Sequence, residues 1–317
     1  MITAAVLGCA GYTGQETLDR LLAHPGVDPV ALGSDSQAGK APSAYDPRLP
    51  AGLPAFVTNA EAEASGAELI FLCLDHAQAA AFQPPASAVV VDLSGAHRLR
   101  DGAVAERWYG VAPGAWSYGL PEVAPPHGPL VANPGCYATA ALLALAPLAG
   151  AIDGAVVDAK SGMTGAGRAL KDTSHAGFVL DNVSAYAVGS HRHAPEIEQA
   201  LGFPVCFVPH LLPIRRGLLA TCYVETDADP RGLLETAYAG SAVVRVLPEG
   251  TSTELHRVQG TDAAEISVFH DGATGKAIVI CAIDNLGKGA AGQAVQNANL
   301  VLGFPETDGL RLGGAAA

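Results

Sequence analysis

The chain has 317 residues, 49% of them hydrophobic and only 15% charged, with a net charge of −13. That length accommodates two domains with ample core, and the composition excludes intrinsic disorder. The negative balance argues against a nucleic-acid surface but leaves room for anionic small molecules held by local arginines and helix N-termini.

Ile2 to Leu7 reads as a buried strand. The run before Cys9 has no basic segment and is too short for a signal peptide. The best apolar stretch, Ala138 to Ile152, is short and broken by Pro147, so no membrane span is expected and the expected location is the cytoplasm. The turn Gly8-Cys-Ala-Gly11-Tyr-Thr-Gly14 then leads into a helix expected over about Gln15 to Ala23. Gly8, Gly11 and Gly14, with Tyr12 and Thr13, bring backbone N–H groups toward a pyrophosphate at a helix start; strict G-x-G-x-x-G spelling would need glycine where Cys9 stands.

Val27 to Leu32, Leu69 to Leu74 and Val89 to Leu93 continue as strands, with a loop over Gly33 to Pro54. The alternation predicts an α/β fold: a Rossmann-type parallel sheet covered by helices on both faces. Gly33-Ser34-Asp35-Ser36 ends the second strand, with Lys40 nearby. Asp35 there favours NAD through the ribose hydroxyls; Ser34, Ser36 and Lys40 favour a 2′-phosphate, and Asp35 as a simple turn cap fits equally. Arg98, after the strand expected over Val89 to Leu93, is placed to reach a cleft mouth.

Cys136 follows Asn133-Pro134-Gly135 and opens an apolar helix expected over Tyr137 to Leu148. A thiol at the first turn of a buried helix meets unpaired N–H groups and the helix dipole, which favour a nucleophilic thiolate. A small buried hydrophobe is the competing reading. The other cysteines form no C-x-x-C pair and no metal spacing; Cys73, Cys206, Cys222 and Cys281 lie in strand-like runs and read as buried reduced thiols.

Strands are expected at Ala155 to Ala159, Pro204 to Pro209, Leu218 to Thr226, Val243 to Leu247, Glu265 to Asp271 and Lys276 to Ile283. With fewer helices between them, they predict an α+β second domain on a mixed sheet. Loops cover Ser161 to Arg168 and Gly189 to His193. His191 and His193 precede Pro195 and Glu196 at a helix start; a histidine there can serve Cys136 as acid and base, or merely cap the helix. No third ligand makes the pair a metal site. Arg168, Arg215 and Arg216 are candidates for an anionic substrate. A helix is expected over Gly289 to Leu302, and the tail Gly313 to Ala317 is expected to fray.

Several stretches together resemble the N-acetyl-gamma-glutamyl-phosphate reductases of arginine biosynthesis. They are Gly11-Tyr-Thr-Gly14, Asp92-Leu-Ser94, Tyr118-Gly-Leu-Pro-Glu122, Asn133-Pro-Gly-Cys136-Tyr, Ser161-Gly-Met-Thr-Gly-Ala-Gly-Arg168, Ala185-Tyr-Ala-Val-Gly-Ser-His-Arg-His193-Ala-Pro-Glu-Ile197, Pro209-His-Leu-Leu-Pro-Ile-Arg-Arg-Gly217 and Asp284-Asn-Leu-Gly-Lys-Gly-Ala-Ala-Gly-Gln-Ala-Val-Gln-Asn297. They run in the family's order over almost the whole chain. The resemblance implies the aspartate-semialdehyde dehydrogenase superfamily fold: a dinucleotide-binding domain over 1–135, completed by 285–317, and a catalytic and oligomerisation domain over 136–284. It implies NADP(H) as cofactor, Cys136 as nucleophile, His193 as acid/base with His191 beside it, and Asn285 near the nicotinamide. Arg98 and Asn133 would steady phosphate, and Arg168 or Arg216 the substrate carboxylate. A homodimer or homotetramer acting on a small molecule follows, without metal, nucleic acid or membrane. Asp35, where the family often has arginine, keeps NAD(H) open; Leu74-Asp75-His76 and Gly95-Ala-His-Arg98 also depart from the usual pattern. The alternatives are the same chemistry on a carrier-linked aminoadipyl or glutamyl phosphate or on aspartyl phosphate, a non-catalytic dinucleotide sensor, and a Cys-His hydrolase.

Overall fold

The structure is a computed structural model that describes residues 1–168 and 175–313. The expected frayed tail beyond Gly313 lies outside the described residues. In chain order, the first elements are β1 (Ile2–Leu7), α1 (Tyr12–Leu21), β2 (Val27–Gly33), α2 (Pro42–Tyr45), β3 (Phe56–Val57), α3 (Asn59–Glu63), β4 (Leu69–Leu72), α4 (His76–Ala81), β5 (Val89–Asp92), α5 (Gly102–Tyr109), β6 (Ser117–Tyr118) and β7 (Leu130–Ala132). They are followed by α6 (Cys136–Leu145), β8 (Ala155–Ser161), α7 (Ala176–Val179), β9 (Ser184–Ala185), α8 (Ala194–Leu201), β10 (Val205–Leu211), β11 (Leu218–Val224) and α9 (Pro230–Ala237). The last are β12 (Val244–Val246), α10 (Leu255–Val258), β13 (Ala264–Asp271), β14 (Lys276–Ile283) and α11 (Gly292–Leu302).

Two compact units result: Met1–Pro134 with Ala290–Leu310, and Gly135–Gly289 with the segment from Arg311. In the first, seven strands run in the order β3-β2-β1-β4-β5-β7-β6, and every pair is parallel. Parallel strands need crossovers, which place helices on both faces. The two-residue period of β1 shows this directly. Ala4 and Val6 pack with Leu18 and Leu21 of α1 and Ala294, Val295 and Ala298 of α11. Ala5 and Leu7 pack with Ala62 of α3 and Ala79 of α4 on the opposite face. The Rossmann-type expectation holds. Helix α1 starts three residues before the expected Gln15, because Gly11 caps it directly.

The second unit is a mixed seven-stranded sheet, β12-β13-β14-β11-β8-β10-β9. β8 and β10 are parallel, while β11 pairs antiparallel with both β8 and β14. Helix α6 lies against β11 and β14 and against α8. Tyr137 to Leu145 are buried all round, as expected of a helix with no polar face. Each buried leucine in it contributes about 1.5–3 kcal/mol. Pro147 cannot donate to the ladder, so the helix tightens into a 3-10 turn at Ala146–Leu148.

The other face of this sheet differs. Val156 is 43% exposed, Cys206 is exposed, and Val208, Tyr223, Phe269 and Ile278 are half-buried. Strand pairing puts Cys206, Val156, Tyr223, Ile278 and Phe269 in one row across it. The expectation of a buried thiol at Cys206 is therefore corrected: it lies in a strand but on the open face. None of the helices among the described residues is long and apolar enough to cross a membrane.

Candidate active site

The turn between β1 and α1 is built on absent side chains. Gly8 has φ +75°, and a Cβ there would lie 2.2 Å from the Cys73 carbonyl oxygen; a Cβ on Gly14 would lie 2.4 Å from the Gly8 carbonyl oxygen. The Gly8 N–H donates to Asn59 Oδ1 at 2.9 Å, and the Gly11 N–H donates to the Gly8 carbonyl at 2.9 Å. These two glycines shape the turn with their own N–H groups engaged. Helix geometry leaves the first-turn N–H groups of Tyr12, Thr13 and Gly14 without intrahelical acceptors, and Gly11 offers no capping side chain. This bare cradle of donors fits the pyrophosphate of a dinucleotide.

Around it, Ser34 is buried while Asp35 and Ser36 are exposed. The Asp35 carboxylate accepts from the Asn59 backbone N–H at 2.8 Å and from its side-chain amide at 2.9 Å. Arg98 is 7% exposed. Its Nε donates to the Asn133 carbonyl at 2.7 Å and its Nη2 to the Leu93 carbonyl at 2.8 Å, tying together the chain leaving β5 and β7. Asn133 donates to the Ala290 carbonyl at 3.2 Å and accepts from Asn297 at 3.0 Å. Both side chains serve here as struts within the first unit.

In the second unit Cys136 is the first residue of α6, half-buried. Gly135 caps the helix with φ −74° and ψ 150°, a conformation open to any residue. Its lack of a side chain is a steric matter: a Cβ would lie 2.2 Å from His193 Nε2. The imidazole thus rests against the backbone immediately before the thiol. The Gly135 N–H donates at 2.8 Å to Glu196 Oε1; Glu196 is fully buried. Glu196 is the residue that sequence reasoning passed over. Its signal was the three-residue spacing from His193, which sets both in the first turn of α8. Gly289, in a π-helical turn over Gly287–Ala291, clears space at the thiol too, since a Cβ there would lie 2.9 Å from Cys136 Cβ.

Tyr137 braces the histidines. Its ring stands edge-on to His191 at 5.5 Å and to His193 at 6.0 Å; its hydroxyl donates to the His210 carbonyl at 3.1 Å and accepts from Tyr186 at 3.2 Å. His191 Nδ1 accepts from the His193 N–H at 3.1 Å. Burial, and then the Arg192 charge, pull His191 down to about 4, which keeps it neutral at pH 7, as an accepting Nδ1 requires. Among the described residues, no group of three His, Cys, Asp or Glu side chains is placed to hold a metal.

Two loops of this unit are zipped by backbone bonds: Gly162 N–H to Gly217 at 2.9 Å, Met163 N–H to Ile214 at 2.9 Å and Thr164 N–H to Arg215 at 3.1 Å. Asn285 clamps them, accepting from the Gly217 N–H at 2.8 Å and donating to Thr164 Oγ1 at 2.9 Å. Arg216 pairs with buried Asp284 at 2.6 Å, and Arg168 stands exposed at the end of the first loop. The structure therefore brings Arg216 and Asn285 into one cluster.

Comparison with known proteins agrees with this architecture. Residues 3–128 match the family model "Semialdehyde dehydrogenase, NAD binding domain", and residues 136–285 match "Semialdehyde dehydrogenase, dimerisation domain". Aspartate semialdehyde dehydrogenase II from Vibrio cholerae shares the fold, with TM-score 0.74 at 18% identity over 95% of this chain and 98% of that one. Fold and matches define the class: a two-domain oxidoreductase of the semialdehyde dehydrogenase type that uses a nicotinamide dinucleotide. N-acetyl-gamma-glutamyl-phosphate reductase from Salinispora tropica is 44% identical over 99% of both chains. The probable chloroplastic N-acetyl-gamma-glutamyl-phosphate reductase of Arabidopsis thaliana is 40% identical over 98% of this chain and 84% of its own. The chain belongs to the N-acetyl-gamma-glutamyl-phosphate reductase family.

Gly135→Ala displaces the His193 imidazole without backbone strain, and kcat is expected to fall by about 10²–10⁴-fold. Circular-dichroism melting then shows a native fold. Burial pushes Cys73 and Cys222 up to about 12 and Cys9 and Cys281 higher still. These four hold their protons at pH 8, so iodoacetamide labels only Cys136 and Cys206 in the folded protein and all six in urea, as read by peptide mass spectrometry.

Proposed function

We propose that this chain reduces N-acetyl-L-glutamyl 5-phosphate with NADPH to N-acetyl-L-glutamate 5-semialdehyde and phosphate, through a thioester on Cys136, as a step of arginine biosynthesis. The observation that carries this reading is the thiol at the start of a buried helix, with the His193 ring and the Glu196 carboxylate both engaged on the adjoining Gly135. Likeness over nearly the full length to reductases of that name supports the substrate.

The chemistry is as follows. The Cys136 thiolate attacks the acyl carbon, and the C–S bond forms. The C–O bond to phosphate breaks, and phosphate leaves with the bonding pair and takes a proton from solvent. First-turn N–H groups of α6 stabilise the oxyanion of the tetrahedral stage. When bound, the nicotinamide supplies a hydride to the thioester carbon. His193 gives a proton to the carbonyl oxygen as it is reduced. It takes the proton back as the C–S bond breaks, which frees the aldehyde and restores the thiolate. Tyr137 and neutral His191 hold the His193 ring, and the zipped loops carrying Arg168 and Arg216 receive the substrate carboxylate.

Tyr12, Thr13 and Gly14 hold the pyrophosphate. NADP is the assigned form, because the Asp35 carboxylate is turned onto Asn59 while Ser36 and Lys40 stand exposed on the same turn. The open face of the second sheet is assigned to a second copy of the chain, burying Val156 and its row. Six free cysteines suit a reducing cytoplasm.

The test runs the reaction backwards, because acyl phosphates are labile. N-acetylglutamate semialdehyde, phosphate and NADP yield NADPH at a phosphate-dependent rate, and Cys136→Ala lowers it by roughly 10³-fold or more while NADPH binding survives. Activity with aspartate semialdehyde alone overturns the substrate. Val156→Asp, read by analytical ultracentrifugation, shifts the assembly toward monomer.

A further inference from the structure

Asp35 stands where an acidic residue ordinarily reads the ribose of NAD, yet its surroundings assign it other work. Its Oδ1 accepts from the Asn59 N–H at 2.8 Å and its Oδ2 from the Asn59 side-chain amide at 2.9 Å. The same Asn59 amide accepts, through Oδ1, from the Gly8 N–H at 2.9 Å. Both ends of one amide are thus in use, between an acceptor that cannot donate and a donor that cannot accept. The carboxylate therefore fixes which way the amide faces. Without it the Asn59 N–H and NH₂ lose their acceptor, and the Gly8 N–H alone is left to hold the amide.

Everything nearby keeps Asn59 in that position. It opens α3 behind Thr58, whose Oγ1 accepts from the Glu61 N–H while Glu61 Oε2 accepts from the Thr58 N–H. The Asn59 N–H is one of the orphan donors of that helix start, and Asp35 satisfies it. Gly33 has no side chain in the way: a Cβ there would lie 2.7 Å from Asn59 Oδ1. Downstream, the Gly8 carbonyl accepts from the Gly11 N–H at 2.9 Å, and Gly11 caps α1. A chain of contacts thus runs from Asp35 through Asn59, Gly8 and Gly11 to the N–H groups offered to the pyrophosphate.

We propose that Asp35 is a positioning residue for the pyrophosphate cradle, acting through Asn59 and Gly8, and that it does not select between the two nicotinamide dinucleotides. This rests on the dinucleotide reading above. The pyrophosphate is common to NADP and NAD, so loss of the strut weakens both alike. A ribose reader would weaken them unequally, because the two differ only at the 2′ position.

The experiment titrates wild type, Asp35→Ser, Asp35→Asn, Asn59→Ala and the Asp35→Ser/Asn59→Ala double variant with NADPH and with NADH by fluorescence. Asp35→Ser and Asn59→Ala each raise both dissociation constants about tenfold, the worth of one charge-assisted hydrogen bond. The NADPH-to-NADH ratio stays within about twofold of wild type, and the double variant is no weaker than Asn59→Ala alone, as a shared network requires. Asp35→Asn, which keeps one acceptor but sets an NH₂ against the second donor, recovers only part of the affinity. At saturating NADPH, kcat is retained while KM for the cofactor rises. A ratio shifted more than about tenfold, additive losses, or unchanged affinities with only a lowered melting temperature would each overturn the proposal. Wild type binding neither dinucleotide would overturn the underlying dinucleotide reading instead.

Discussion

The arrangement at the reacting thiol depends on Gly135 having no side chain. The His193 ring occupies the place a Cβ would take, so histidine and cysteine are held together by the backbone between them. Glu196 completes the arrangement from the same turn of α8, taking the Gly135 N–H as a partner. A buried carboxylate is costly unless hydrogen-bonded, and a helix start buried without an acceptor is costly too; each offsets the other. One small residue thereby sets how closely the His193 ring approaches the start of α6.

Burial of α6 is what gives that pairing its force. A surface helix would let water screen its terminal N–H groups, whereas Tyr137 to Leu145 sit under the sheet and beside α8. Charge developing near Cys136 is met by fixed backbone dipoles that need no reorganisation. Burial holds four of the remaining thiols protonated, pushing Cys73 and Cys222 up to about 12 and Cys9 and Cys281 higher still, while Cys206 lies exposed on the second sheet, away from any helix start.

Much of this was legible in the residues because the fold uses strong local signals. Long apolar strands announced both sheets, and Asn133-Pro-Gly before Cys136 announced a helix start. What escaped was short or non-local. Helices α3 and α4 are only five and six residues long; the Thr58/Glu61 and Asp75/Gln78 capping boxes were their only signs. Helix α1 begins within the glycine turn, so that Gly14 is a close-approach glycine inside it. The bonds from Arg98 to the Leu93 and Asn133 carbonyls could not be read from the residues, because carbonyl partners have no sequence signature. Cys206 shows the limit of strand reading, since period two says which residues share a face but not which face is covered. Asp35 shows a similar limit, for its partner Asn59 lies 24 residues away.

A covalent intermediate on Cys136 needs phosphate as the reactant that discharges it in the aldehyde-oxidising direction. The most direct measurement withholds phosphate. Enzyme mixed with N-acetylglutamate semialdehyde and NADP should produce a burst of about one NADPH per active site and then stop. The Cys136 peptide should carry the acyl mass, and both should be discharged when phosphate is added. Sustained turnover without phosphate, or the acyl group found on any other residue, would contradict the account.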